Sequence, residues 1–293
     1  MVSSESIGHC ASLACILEAT ARKPGNVHPQ ARFADVDYVD FVLTAIAVGP
    51  VMELARDLGV GRTVLDAVRR CHRLVSSNTN LGMILLLAPL AAVPAEATCE
   101  DGISDVLGRL DVDDARLVYE AIRTAKPGGL GQVSEQDVAS EPTMDLLSAM
   151  RLAAERDLVA RQYANGFREV LGVGVQDLIA SEESGLPWDQ AVVRCHLGLM
   201  ARFPDTLIAR KRGQAEACES AERAAAVLDA GWPAGRHSLR LFERLDEWLR
   251  AGGHARNPGT TADLVAASLF VALREGRMKA GSRWLHRDRL TSD

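Results

Sequence analysis

Apolar residues recur at helical spacing along most of this chain, and stretches that alternate apolar and polar with period two are few. The spacing predicts helices over residues 5–22, 36–58, 62–76, 80–93, 113–124, 143–170, 188–202, 205–230, 238–251 and 258–274. Turn-forming residues punctuate them: Pro24-Gly25, Pro127-Gly128-Gly129 with Gly131, Gly172-Val173-Gly174, Pro204-Asp205 and Gly252-Gly253. The longest apolar run, from Leu81 to Ala95, is too short to span a bilayer and is interrupted by Pro89, so it reads as a core helix. No low-complexity linker divides the chain. The pattern therefore predicts an all-α protein, a single compact multi-helix domain over residues 1–293.

Composition sharpens this picture. Ala and Leu dominate an apolar fraction of 47%, aromatic residues are only 4%, and β-branched clusters are scarce, so strands have little support. A net charge of −6 argues against a nucleic-acid footprint despite basic clusters at Arg69-Arg70 and Arg210-Lys211-Arg212. The basic stretch from Arg274 to Arg289 reads as a final amphipathic helix with a solvated cationic face. Cys10, Cys15, Cys71, Cys99, Cys195 and Cys218 show neither CxxC nor disulfide-framework spacing, and read as reduced, mostly buried thiols. With no basic leader at its start, the chain is expected in the cytoplasm with no membrane partner, and a homo-oligomer is compatible with all of this.

Candidate chemistry gathers at the turns. Three times a cation is followed within two residues by Pro-Gly: Lys23-Pro24-Gly25, Lys126-Pro127-Gly128 and Arg256-Asn257-Pro258-Gly259. With 11 Pro and 24 Gly in 293 residues, chance gives about one Pro-Gly pair. Each such turn offers bare backbone N–H groups beside a positive charge, which suits a phosphorylated small molecule. Solvated helix connectors are the plainer reading of the same residues.

Several helix starts allow the same two readings. In the 143–170 segment, Leu146, Leu147, Met150, Ala154 and Leu158 form an apolar stripe, and Asp157 and Arg161 fall inside it, four residues apart and able to pair. They form either a structural ion pair or the wall of a polar pocket. Asn78-Thr79-Asn80-Leu81-Gly82 opens the most apolar helix, as a cap or as donors to an anion or a ribose hydroxyl. Asp205 is either a helix cap or a magnesium ligand, with Arg210, Lys211 and Arg212 one turn further on. Thr260 and Asp263 fit a capping box.

Other chemistries lack their motifs. The chain has no GxxxxGK[ST] loop, no GxGxxG and no GxSxG. Cys71-His72 and Cys195-His196 are neighbours that would point about 100° apart on a helix, a poor zinc geometry.

Taken in order, these segments resemble the triphosphoribosyl-dephospho-CoA synthase family. That family has a Glu followed closely by Pro-Lys-Pro-Gly, as Glu18 precedes Arg22-Lys23-Pro24-Gly25-Asn26-Val27 here. Its Asn-Thr-His-Lys-Gly segment is similar to Asn78-Thr79-Asn80-Leu81-Gly82, with Asn80 and Leu81 in place of His and Lys. Its Asp-Thr segment followed by Arg-Gly looks like Asp205-Thr206 with Arg210 and Gly213. Its Ser-Pro-Gly-Gly-x-Ala-Asp-Leu segment looks like the run from Asn257 to Leu264. Its Arg-Gly-Glu-Ala stretch is only faintly present, around Gln162 to Glu169, and the loop from Ala125 to Gly131 is an addition. The likeness spans about residues 10–275 and marks a divergent branch.

The resemblance implies a reaction in which a ribose hydroxyl of dephospho-CoA displaces adenine from ATP, with magnesium (Mg2+) on the triphosphate. It implies Lys23, Arg210, Lys211 and the Gly25 and Gly259 backbones as phosphate contacts; Lys126, outside the resemblance, is read from its Pro-Gly turn as a further cation of the nucleotide site. Asp157 and Asp205 are the implied magnesium ligands, Glu18 or Asp263 the acid or base, and Asn78 and Asn80 the ribose contacts. Two alternatives stand beside it: a related transfer to another acceptor, for example in assembling a pterin-type one-carbon carrier, and a nucleotide-binding helical protein without turnover.

Overall fold

The computed structural model describes residues 6–75, 80–126 and 138–278. Among them are helices α1 (Ile7–Thr20), α2 (Tyr38–Met52), α3 (Ala55–Leu58), α4 (Val60–His72), α5 (Leu81–Ala92), α6 (Cys99–Gly108), α7 (Val112–Ala125) and α8 (Leu146–Ala153). Then follow α9 (Leu158–Asn165), α10 (Val175–Glu183), α11 (Trp188–Arg202), α12 (Thr206–Arg212), α13 (Gln214–Asp229), α14 (Arg236–Arg250) and α15 (Gly259–Arg274). The described residues hold no strand, only an isolated bridge between His28 and Ala31. The all-α expectation is met. No helix among them is long and apolar enough to cross a membrane.

Two nearly all-apolar helices form the axis. In α5, ten residues from Leu81 to Ala91 are buried, and α15 is buried along almost its whole length. Such helices must be covered on all sides, and α1, α9, α10, α11 and α12 pack around α15. The axis pair runs parallel. Gly82, at the start of α5, lies against Asp263 in the first turns of α15, and the ends of both helices meet at Arg274. There the buried guanidinium donates to the carbonyls of Leu90 (2.7 Å), Val93 (2.8 Å) and Pro94 (2.7 Å). These are carbonyls that the end of α5 leaves without helical partners. Glu275 in turn accepts the Cys99 N–H at 2.8 Å, fixing the start of α6. A parallel pair places the positive dipole ends of two helices at the same end of the molecule.

Several predicted helices are broken, each for a local reason. The 143–170 segment divides at Asp157, which turns extended (φ −141°, ψ 117°) and caps α9. The 205–230 segment divides at Gly213, whose φ of +93° ends α12. The 36–58 segment ends its long helix at Met52, and the short α3 follows. Conversely, Gly172-Val173-Gly174 is no turn: it forms a π-helical segment, Val170–Gly174, leading directly into α10. A Cβ on Gly174 would come 2.0 Å from Ser268 Oγ, so this glycine serves close packing on α15 rather than reversal of the chain. Helix α6 was missed because its residues Cys99–Gly108 carry mixed polarity. Five of the six cysteines are buried and all six are free thiols. The basic stretch beyond Met278 lies outside the described residues.

Candidate active site at converging helix N-termini

Asp263 stands on α15 one turn from its start, facing the first turn of α5. A Cβ on Gly82 would fall 1.9 Å from Asp263 Oδ2, so the carboxyl rests on bare helix backbone. The capping-box reading of Asp263 fails. Helix α15 begins after Pro258 (φ −78°, ψ 61°) with no side-chain cap, and Gly259 N–H donates to Asn257 O at 2.8 Å across an inverse γ-turn. Thr260 and Asp263 are thus already inside the helix. No hydrogen bond or ion pair among the described residues satisfies the Asp263 carboxyl. The residue is half-buried, with Oδ2 packed against the α5 backbone at Gly82. That burial pushes its pKa well above the ordinary aspartate value, the charges of Glu18, Asp205 and Asp157 push it further, and Arg210 opposes them.

The neighbouring carboxylates are all engaged. Asp205 is completely buried. Its Oδ1 accepts the N–H groups of Leu207 (2.8 Å) and Ile208 (3.0 Å), capping α12. Its Oδ2 accepts the N–H (2.7 Å) and hydroxyl (2.8 Å) of Thr261 on α15. Four donors fill both oxygens, so the structure gives Asp205 a bracing role and leaves nothing for a magnesium ion. Burial raises its pKa and these hydrogen bonds lower it in part. Thr206 extends the brace: its hydroxyl accepts the Leu158 N–H at 3.2 Å and donates to Thr260 Oγ at 3.3 Å, joining the starts of α9, α12 and α15.

Asp157 caps α9, accepting the N–H groups of Val159 (2.8 Å) and Ala160 (3.3 Å). Its other oxygen takes Arg210 Nη1 at 2.6 Å. The expected pairing with Arg161 is not made. The break at Asp157 turns Arg161 to the carbonyl of Ala154 instead, at 3.2 Å.

Glu18, near the end of α1, pairs with Lys23 at 2.9 Å, and both are buried. Burial raises the Glu18 pKa against the lowering effect of Lys23. The ammonium also donates to the carbonyls of Glu18 and Ala21, so Lys23 is turned inward on its own turn. The first and third Pro-Gly turns lie back to back. Asn26 Nδ2 donates to Asn257 Oδ1 at 2.6 Å, and a Cβ on Gly25 (φ +76°) would meet Pro258 Cδ at 2.9 Å. Their N–H groups are not bare: Gly25 donates to Asp246 at 2.7 Å and Gly259 to Asn257. Arg256 is held by Glu216 and stacks over Trp248, 4.6 Å from the ring centre.

The remaining predicted residues fall at different distances from this cluster. Asn80 is buried and donates to Thr44 Oγ1 at 2.6 Å, tying the start of α5 to α2. Lys211 turns to the far side of α12, donating to His254 O at 3.3 Å. Lys126 ends α7 in a left-handed conformation (φ 47°) and is exposed, with no contact to the cluster among the described residues. Asn78 lies outside the described residues, as does the Pro127-Gly128 turn. Sequence reasoning missed Thr206 and Thr261. Both stand beside residues already singled out, but their partners lie more than 45 residues away in the chain.

The starts of α5, α9, α12 and α15 thus meet around Asp263, with Arg210, Asp157 and Glu18 within electrostatic range of it. Helix N-termini favour anions, and the raised pKa lets the Asp263 carboxyl keep its proton to higher pH than an ordinary aspartate. Over residues 4–282 the chain matches the family described as ATP:dephospho-CoA triphosphoribosyl transferase. It belongs to that family. Among curated relatives, a Stutzerimonas stutzeri protein named probable 2-(5''-triphosphoribosyl)-3'-dephosphocoenzyme-A synthase is 36% identical over 118 residues, 39% of each chain. A protein of the same name from Pseudomonas paraeruginosa is 34% identical over 113 residues, 38% of each chain. The matched stretch therefore spans about two fifths of these relatives' length. A crystal structure of a candidate triphosphoribosyl-dephospho-CoA synthase from Archaeoglobus fulgidus superposes with a TM-score of 0.62 at 28% identity. It covers 80% of this chain and 99% of its own.

Proposed function

We propose that this family member is a pentosyltransferase that moves the triphosphoribosyl group of ATP to a hydroxyl of dephospho-CoA and releases adenine. The observation that carries the reading is Asp263, a carboxyl with a raised pKa and no partner among the described residues, at the meeting point of the helix N-termini. In the reaction the bond from ribose C1′ to adenine breaks and a bond from C1′ to the acceptor oxygen forms. Adenine leaves poorly as an anion, so Asp263 delivers a proton to it. Asp263 is then a carboxylate beside the positive charge that develops at C1′, with Glu18 and Asp157 adding negative potential. The attacking hydroxyl becomes acidic as its bond to C1′ forms, and its proton is lost to water. Glu18 is a positioning residue: anchored by Lys23, its charge keeps Asp263 protonated.

The positive dipole ends of α5 and α15, with Arg210, receive the triphosphate. The described residues contain no group of three or more His, Cys, Asp or Glu able to hold a metal. They fit magnesium only as a companion of the bound triphosphate, with Asp157 as its one carboxylate, since magnesium is commonly held by one or two carboxylates plus phosphates. When bound there it neutralises phosphate charge.

The test is incubation with ATP, magnesium and dephospho-CoA, followed by chromatography for free adenine. Adenine should appear with dephospho-CoA present and not without it. Its absence from folded wild-type protein would sink the reading.

A further inference from the structure

Arg210 and Lys211 are adjacent on α12, and helical neighbours point about 100° apart. Arg210 faces Asp157, while Lys211 faces the turn Gly253–Arg256 through its bond to His254 O at 3.3 Å. Lys211 has no ion-pair partner among the described residues. It is half-buried, and burial and then Arg210 lower its pKa, with Asp205 and Asp35 opposing. Such a cation gains by meeting an anion.

An aromatic wall stands beside it. Phe33, from the segment between α1 and α2, lies edge-to-face with the His254 ring at 5.8 Å. The Arg250 guanidinium covers Phe33 at 5.8 Å from the ring centre. Asp35 Oδ1 is 3.4 Å from His254 Nδ1, and the His254 side chain is 51% exposed, so part of it is accessible to a ligand. The wall is anchored to the Pro-Gly turns: Arg250 donates to Asn26 O at 2.6 Å and pairs with Asp246, which holds the Gly25 N–H.

A two-substrate transfer needs a second anion site beside the first, and α12 has a cation on each side. We propose that Phe33, His254 and Lys211 form the acceptor subsite, seating the adenine of dephospho-CoA on the aromatic wall and its pyrophosphate on Lys211. This rests on the reaction proposed above. Base–aromatic stacking and an ammonium–phosphate contact suit an adenosine diphosphate group, and the adjoining turns bring it beside the triphosphate.

The test is calorimetric titration of dephospho-CoA, and separately of ATP with magnesium, into wild type, Lys211→Met and Phe33→Leu, each first shown to melt like wild type. His254→Ala, which trims an exposed ring and keeps the backbone carbonyl, replaces Phe33→Leu if that variant loosens the loop. Each variant should bind dephospho-CoA at least about tenfold more weakly and ATP within about twofold of wild type. Unchanged affinity for dephospho-CoA, equal loss of both ligands, or loss of ATP alone would overturn the subsite. The two readings separate cleanly. Wild type that binds dephospho-CoA through these residues but releases no adenine supports the subsite and refutes the reaction. Wild type that binds no dephospho-CoA refutes both.

Discussion

Among the described residues, Asp263 differs from the carboxylates around it in what it lacks. Asp205 has four donors, Asp157 has two amides and Arg210, and Glu18 has Lys23, while Asp263 has backbone at Gly82 and negative neighbours. An acid in that position stays protonated where an ordinary aspartate would ionise. The consequence for stability has a definite sign. Above the unfolded value of 3.8 the unfolded chain has released this proton while the native chain still holds it. Stability from Asp263 is therefore greatest at low pH and is lost as pH rises through the native pKa. Asp263→Asn removes the liability, so its melting temperature relative to wild type should rise with pH above the unfolded value of 3.8 and level off once the native carboxyl ionises. A flat difference across that range would contradict the raised pKa. Adenine release by the variant should fall by roughly a hundredfold or more, the usual worth of a general acid.

Helix starts decide the shape of the site at the scale of elements. Helices α12 and α15 are joined through Asp205 and Thr261, and α9 is drawn to both by Thr206. The same bonds that satisfy unpaired N–H groups at helix ends aim those ends at one point. Asp205→Asn should damage this brace, because the amide nitrogen cannot accept from Thr261 N–H. We expect a loss of about 1–3 kcal/mol, read as a lower urea midpoint with unchanged slope. An unchanged midpoint would show that the brace is idle and reopen the case for Asp205 as a ligand. Element boundaries were the least legible part of the sequence. The apolar period continues through Asp157 and Gly213, so periodicity alone extends both helices past their breaks.

At the scale of the whole molecule, the site draws on residues from Glu18 to Asp263 and on helices from both ends of the chain. Helices α5 and α15 are parallel, and Arg274 locks their far ends. A ligand that bridges their near ends should stabilise the fold as a unit. ATP with magnesium at about 100-fold over its dissociation constant should add about 2.7 kcal/mol and raise the melting temperature. No shift under saturating ATP and magnesium would count against a nucleotide site at these N-termini.

The pattern of residues along the chain determined the helical class, the apolar axis helix from Leu81, the capping at Asp205 and the importance of the Pro-Gly turns, because each is a local property of spacing and backbone preference. The motif order also carried the family. The tertiary structure alone decided that Lys23 turns inward to Glu18, that Asp157 pairs with Arg210 rather than Arg161, and that Arg210 and Lys211 meet different partners. It also decided that Asp263 is no cap, since α15 begins at Gly259 and Thr260 is already inside it. A side chain's partner depends on which helices meet, and its charge state on how far that meeting shuts out water. Neither is written in the local period of a sequence.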